Sequence, residues 1–132
     1  MKIKLLFSMV LSTVLALFSG CVSTETGHST AGVHLTADKI VSRYEKPVPL
    51  LANATRLVLQ HNGQLLEDNV VNNTFRAKVN QHNVWVKVED LDGSGRITVV
   101  TVQARGPVGS DITLAAELSK QIALQLMAGQ SQ

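Results

Sequence analysis

The spacing of apolar positions changes several times along this chain, and each change marks an element. Leu5 to Phe18 is an almost continuous apolar run, broken only by Ser8, Ser12 and Thr13, behind the basic start Met1-Lys2-Ile3-Lys4. A short basic start followed by such a run is the layout of a secretory signal peptide. A membrane span needs about 20 predominantly apolar residues. This run is shorter and closes on Ser19-Gly20, so it predicts a targeting segment. From Val22 to Asp38 the chain is rich in Ser, Thr and Gly and has no apolar period. That composition predicts a flexible tether over 21–38, with a coil reach of roughly 20–25 Å.

The folded pattern begins at Lys39. Ile40, Val41 and Tyr44 predict a strand over Lys39–Lys46. Pro47 and Pro49 cannot continue it inside a sheet, but they suit the opening turn of a helix. Leu50, Leu51, Ala54, Leu57 and Val58 then fall on one helical face, and Gly63 predicts its C-terminal stop. Gln64–Asn72 reads as a further strand. Phe75, Ala77 and Val79 alternate with Arg76 and Lys78, and Val84, Val86 and Val88 alternate with Trp85, Lys87 and Glu89. Pairing Val79 with Val84 across Asn80–Asn83 puts every apolar residue of both strands on one face.

The segment RITVVTVQAR, Arg96 to Arg105, predicts the next strand. With Glu89 opposite Arg96, Val88 meets Ile97, and Trp85 meets Val100 on the other face. Gly106–Gly109 reads as a connector, with Ser110 capping a closing helix whose stripe is Ile112, Ala115, Ala116, Ile122, Ala123 and Leu126, with Leu118 at its edge. The fold class is therefore α+β: an antiparallel β-meander with two helices on one face, in the order β-α-β-β-β-β-α. This domain covers 39–128, and 129–132 reads as a disordered tail.

Ser19-Gly20-Cys21, with Leu17 and Phe18 upstream, resembles the lipobox of bacterial lipoprotein precursors, although Phe18 stands where that pattern favours leucine. The resemblance implies cleavage after Gly20, removal of 1–20, and a diacylglyceryl thioether on Cys21 with an acylated new amino terminus. Val22, rather than the aspartate of inner-membrane retention signals, implies the periplasmic face of the outer membrane. An inner-membrane or Gram-positive surface lipoprotein is the alternative. The stretch Thr98–Leu126, a strand running through a glycine loop into a closing helix, is similar to the end of small bacterial lipoproteins that carry a domain of unknown function. That family brings no catalytic residue to this chain. The helix-on-sheet layout also resembles, as fold analogy only, the helix-grip modules of outer-membrane assembly lipoproteins.

Cysteine usage agrees with the anchor. Cys21 is the only cysteine; it cannot form an internal disulfide, and a thioether removes the exposed thiol from an oxidising compartment. Removing 1–20 takes two lysines with it and leaves ten Lys and Arg against ten Asp and Glu. A formally neutral chain lacks the basic excess that nucleic-acid phosphates require.

Candidate chemistry is sparse. Asp90-Leu91-Asp92-Gly93-Ser94-Gly95 opens like a calcium loop, but the twelfth position, where a bidentate glutamate belongs, is Thr101. His28, His34, His61 and His82 have no ligand spacing. Ser110-Asp111 lacks a nucleophile elbow and a histidine close in sequence. Gly106-Pro107-Val108-Gly109 lacks the lysine of a phosphate loop. No catalytic, cofactor or metal site is expected. Trp85, with Lys78 across the hairpin, Val100 on the next strand, and Arg76 and Lys87 nearby, forms the candidate partner-binding patch, since tryptophan and arginine are enriched at interface hot spots. The expected function is a lipid-anchored, non-catalytic interaction module of the cell envelope, with an envelope protein or cell-wall component as partner. The alternative is a small envelope hydrolase with an unrecognised site.

Overall fold

Residues 33–36 and 38–131 are described by the computed structural model; Cys21, the targeting segment and most of the tether lie outside them. The elements are β1 (Val33–Thr36), β2 (Lys39–Tyr44), α1 (Val48–Asn62), β3 (Gln64–Asn69), β4 (Thr74–Val79), β5 (His82–Asp90), β6 (Thr98–Gly106), β7 (Gly109–Ser110) and α2 (Ile112–Ala128). One antiparallel sheet runs in the order β1-β2-β6-β5-β4-β3, and β7 pairs with the end of β6. Both helices pack on the same sheet face and against each other. The expected β-α-β-β-β-β-α order is present from β2 onward, with β7 inserted before the last helix.

β1 departs from the expectation that residues up to 38 form a tether. Its four residues pair with β2, from Val33 opposite Ser42 to Thr36 opposite Lys39. The backbone groups along that side of β2 would otherwise lack strand partners, and an extended segment satisfies them. At the other terminus, the amides of Gly129, Gln130 and Ser131 still bond to carbonyls of the last helical turn, so these three residues of the expected tail continue from the helix, and 132 lies outside the described residues.

Pro47 holds the extended N-cap position of α1 (φ −70°, ψ 150°), where its missing N–H costs nothing. The helix turns Leu51, Thr55, Val58 and Leu59 onto the sheet and leaves Leu50 and Leu57 46% and 42% exposed. The expected face was therefore rotated: Leu50 and Leu57, seven apart, lie on the flank towards α2 and line a cleft with Gln125 and Ala128. Gly63 does end the helix, but not in a left-handed conformation (φ −174°). Its reason is close approach, because a Cβ there would collide with the Lys78 backbone carbonyl as β3 turns back along β4. Backbone cannot swing aside as a side chain can. Gly63→Ala is accordingly expected to lower stability by about 2–3 kcal/mol in chemical denaturation.

The β4–β5 hairpin forms as expected but two residues out of the expected register: Val79 pairs with His82, Ala77 with Val84 and Phe75 with Val86. Asn80 takes a left-handed conformation (φ 55°) that asparagine tolerates, and it closes a two-residue turn in place of a four-residue loop. A shift of two preserves the faces, so Phe75, Ala77, Val79, Val84, Val86 and Val88 are all buried. The β5–β6 pairing is shifted by three, with Val88 opposite Val100 and Val86 opposite Val102. An odd shift exchanges the faces, and Val100, Val102 and Ala104 enter the core while Val99, Thr101 and Gln103 face outward. The longer connection sets this register: the Asp90 carboxylate accepts from the Gly95 amide, and the Leu91 amide donates to the Ile97 carbonyl.

Asp111, not Ser110, caps α2. Its carboxylate accepts from the Leu114 amide at 2.9 Å, while Ser110 pairs with Arg105 in the short β7 strand. Leu118 sits at the centre of the buried stripe, with Ala115, Ile122 and Leu126, rather than at its edge; Ala116 faces solvent. Ser119 of α2 meets Ser42 of β2 hydroxyl to hydroxyl at 2.9 Å, and the Tyr44 hydroxyl joins them. Burial pushes the Tyr44 phenol above its ordinary range, against the opposing pull of those two serines.

Candidate functional site

The two helices cover one face of the sheet, and strand alternation sends the remaining side chains to the other face. Trp85 stands near the centre of that outer face, 38% exposed, with Arg76 opposite on β4 and Gln103 opposite on β6. Lys87 follows two residues along β5, on the same face and opposite Thr101 and Thr74. Lys78 is on the face but faces Asn83, so it is a diagonal neighbour of Trp85 and not the direct partner expected. Diagonal pairs lie about 7–8 Å apart, within reach of long side chains.

Val100 does not belong to the patch. It is 1% exposed, between Val88 and Ser42 on the helix side. Both faces of β6 are rich in β-branched residues, so alternation could not say which row meets the core. Gln103, which sequence reasoning left out, occupies the place beside Trp85 that Val100 was expected to fill.

Three cations of this face lie beside carboxylates. Lys87 Nζ lies 2.6 Å from Glu89 Oε1, Arg76 Nε lies 3.7 Å from Glu67 Oε2, and an Arg105 guanidinium nitrogen lies 3.2 Å from Asp38 Oδ2. Asp38 also accepts from the Gln103 amide at 2.7 Å. Such exposed pairs contribute little to stability, but they hold long side chains against the sheet and leave the indole uncovered. Trp85→Ala should therefore cost less than about 1 kcal/mol, against roughly 3–5 kcal/mol for a core tryptophan. With no second tryptophan in the chain, emission reports on this site alone, and it is expected to be red-shifted and open to a soluble quencher in the free domain.

Several other titratable groups are engaged away from this face. In the loop after β5, the Asp92 carboxylate accepts from the Ser94 hydroxyl and amide, which hold it below the usual carboxylate range, and Asp90 accepts from Gly95. This is a self-capped turn. Among the described residues, no group of three or more His, Cys, Asp or Glu is placed to hold a metal ion. Arg56 clamps Asp68 of the edge strand β3 with two hydrogen bonds and lies over the Phe75 ring. That contact draws the Asp68 carboxyl below its ordinary range.

One contact had no signature in sequence. His82 Nε2 lies 3.1 Å from Asp111 Oδ2, so the start of β5 is tied to the cap of α2 across 29 positions. A general base would need its second ring nitrogen aimed at a nucleophile. His82 Nδ1 is instead buried with no hydrogen-bond partner among the described residues, and the ring packs on Gly106. The contact joins the start of β5 to the start of α2.

Two clefts open between α1 and α2. Their walls are apolar and amide side chains, including Leu50, Leu57, Leu124 and Gln125, with His61 the sole titratable residue lining either among the described residues. No protein-family model matches the chain, and no curated protein sequence matches it significantly.

Proposed function

We propose that this chain is a lipid-anchored interaction module of the bacterial cell envelope, held through Cys21 at the periplasmic face of the outer membrane and docking through the open face of its sheet. In this reading it carries out no chemistry of its own. The observation that supports it is the placement of Trp85: an aromatic side chain 38% exposed on a sheet face that no described helix covers, flanked by Arg76 and Gln103. Large aromatic and arginine side chains on an uncovered face are the usual anchors of interfaces.

Site-specific photocrosslinking in cells tests which surface is used. A benzophenone side chain at Arg76 or Thr101, on the sheet face, is expected to give discrete adducts. The same group at Gln60 or Glu117, on the solvent side of the helices, is expected to give none. Adducts from the helix positions alone would transfer the docking role to the cleft between α1 and α2.

A further inference from the structure

We infer that the open sheet face docks on the anionic lipid surface to which the chain is anchored, with Trp85 seated at headgroup depth. This rests on the anchor proposed above and names the partner of the same face.

The first support is a charge asymmetry that net charge conceals. Of the ten Lys and Arg among the described residues, six lie on or at the sheet face: Lys39, Arg43, Arg76, Lys78, Lys87 and Arg105. Among the described residues Glu67, Glu89 and Asp38 oppose them there, and Lys39 is itself engaged. Elsewhere four cations meet six acids, so the helix side and loops are net acidic while the sheet face, Lys39 left aside, carries a surplus of two positive charges. An almost neutral domain is thus electrostatically two-sided, and an anionic plane would attract one side and repel the other.

The second support is the kind of side chain at the centre. Indole is amphipathic and settles at the boundary between headgroups and acyl chains, whereas a face built to meet a polyanion through charge alone has no use for it. Trp85, with Lys78, Arg76 and Lys87 around it and Glu67 and Glu89 beside the last two, supplies an interfacial ring inside a rim of net positive charge.

The third is the length and point of attachment of the chain. Eleven residues separate Cys21 from Val33, and Val33 opens β1, the edge strand of this same sheet. Those residues span at most about 40 Å even fully extended. The lipid surface is therefore always within reach of the face, and the second contact is intramolecular in character. Each surplus cation multiplies affinity for an anionic surface about fivefold, so two favour the docked state by about twenty-five-fold at low salt.

The test uses the lipidated chain purified from membranes and reconstituted into vesicles of neutral phosphatidylcholine, or of phosphatidylcholine with about 30% phosphatidylglycerol. Flotation reports the anchor; Trp85 emission, acrylamide quenching and quenching by brominated acyl chains report docking. Co-flotation is expected with both vesicles. In the anionic ones alone, Trp85 should shift to the blue, lose most of its acrylamide quenching and become quenched by brominated lipid. Salt at 0.5 M, or the combined variant Arg76→Gln, Lys78→Gln and Lys87→Gln, should return it to the neutral-vesicle signal. Co-flotation with Trp85 equally open to acrylamide in both vesicles overturns the docking and leaves the anchor standing. Protection that appears only on adding an acidic envelope protein overturns it in favour of a protein partner. Failure to float with either vesicle removes the anchor, and the docking with it.

Discussion

Replacing Cys21 by serine is expected to release the protein from the membrane fraction in essentially all-or-none fashion. Under the proposed anchor the thioether needs the sulfur, and serine offers none, so the diacylglyceryl group would not be attached and the lipoprotein peptidase would lack its substrate. A single myristoyl chain gives only marginal membrane binding, with a partition constant near 10⁴ M⁻¹, and each further buried CH₂ adds about 0.8 kcal/mol. The two or three acyl chains of the proposed anchor would therefore hold permanently, and losing them together would remove the anchor rather than weaken it. Among the described residues no helix is long and apolar enough to cross a membrane in its place. Fractionation and metabolic labelling with palmitate check the outcome: the parent should be labelled and membrane-bound, and the serine variant unlabelled with its signal segment uncut. A parent that takes up no palmitate, with a serine variant that stays in the outer-membrane fraction, defeats the anchor. Val22→Asp should leave labelling intact and, in an enterobacterial host, move the protein towards the inner membrane.

The second large effect concerns β6, where the pairing decides which residues are core. Val102 is fully buried between Val86 of β5 and Ile40 of β2. Val102→Asp puts a carboxylate among apolar side chains with no cation beside it, a change that costs more than about 4–5 kcal/mol when the charge cannot be paired. A domain of this size has roughly 5–14 kcal/mol in total. Most of that margin is lost, and the variant should show no cooperative unfolding transition, or one at a far lower denaturant midpoint. Thr101→Asp is the matched control. Thr101 faces outward opposite Lys87, and the change should stay within about 0.5 kcal/mol of the parent. The register expected from sequence, with Glu89 opposite Arg96, reverses the two outcomes, so the pair of variants decides between the registers directly.

Trp85 and Val100 show why one part of the candidate site was legible and another was not. Trp85 sits in a strand whose alternate residues are polar or charged, so its face is set by Val84, Val86 and Val88 whatever the exact pairing. A shift of two in β4–β5 moved its partner from Lys78 to Arg76 and left it facing outward. Val100 has β-branched neighbours on both sides, and alternation then carries no sign. Gln103 entered the site by the same odd shift that removed Val100.

The helices repeat the lesson. Leu50 and Leu57 satisfy helical spacing as well as Leu51 and Val58 do, and only contact with the sheet separates buried from flanking positions. Gly63 stops α1 as its type predicts, but the cause, the Lys78 carbonyl, is a contact with a strand fifteen residues later. Chain order, the proline and glycine boundaries and the core face of β4 and β5 follow from the sequence by itself, because sterics and a period of two act over a few neighbouring residues. The register of β6, the His82–Asp111 tie and the gathering of six cations on one sheet face were decided only in three dimensions, since each depends on which distant residues the packed core brings side by side.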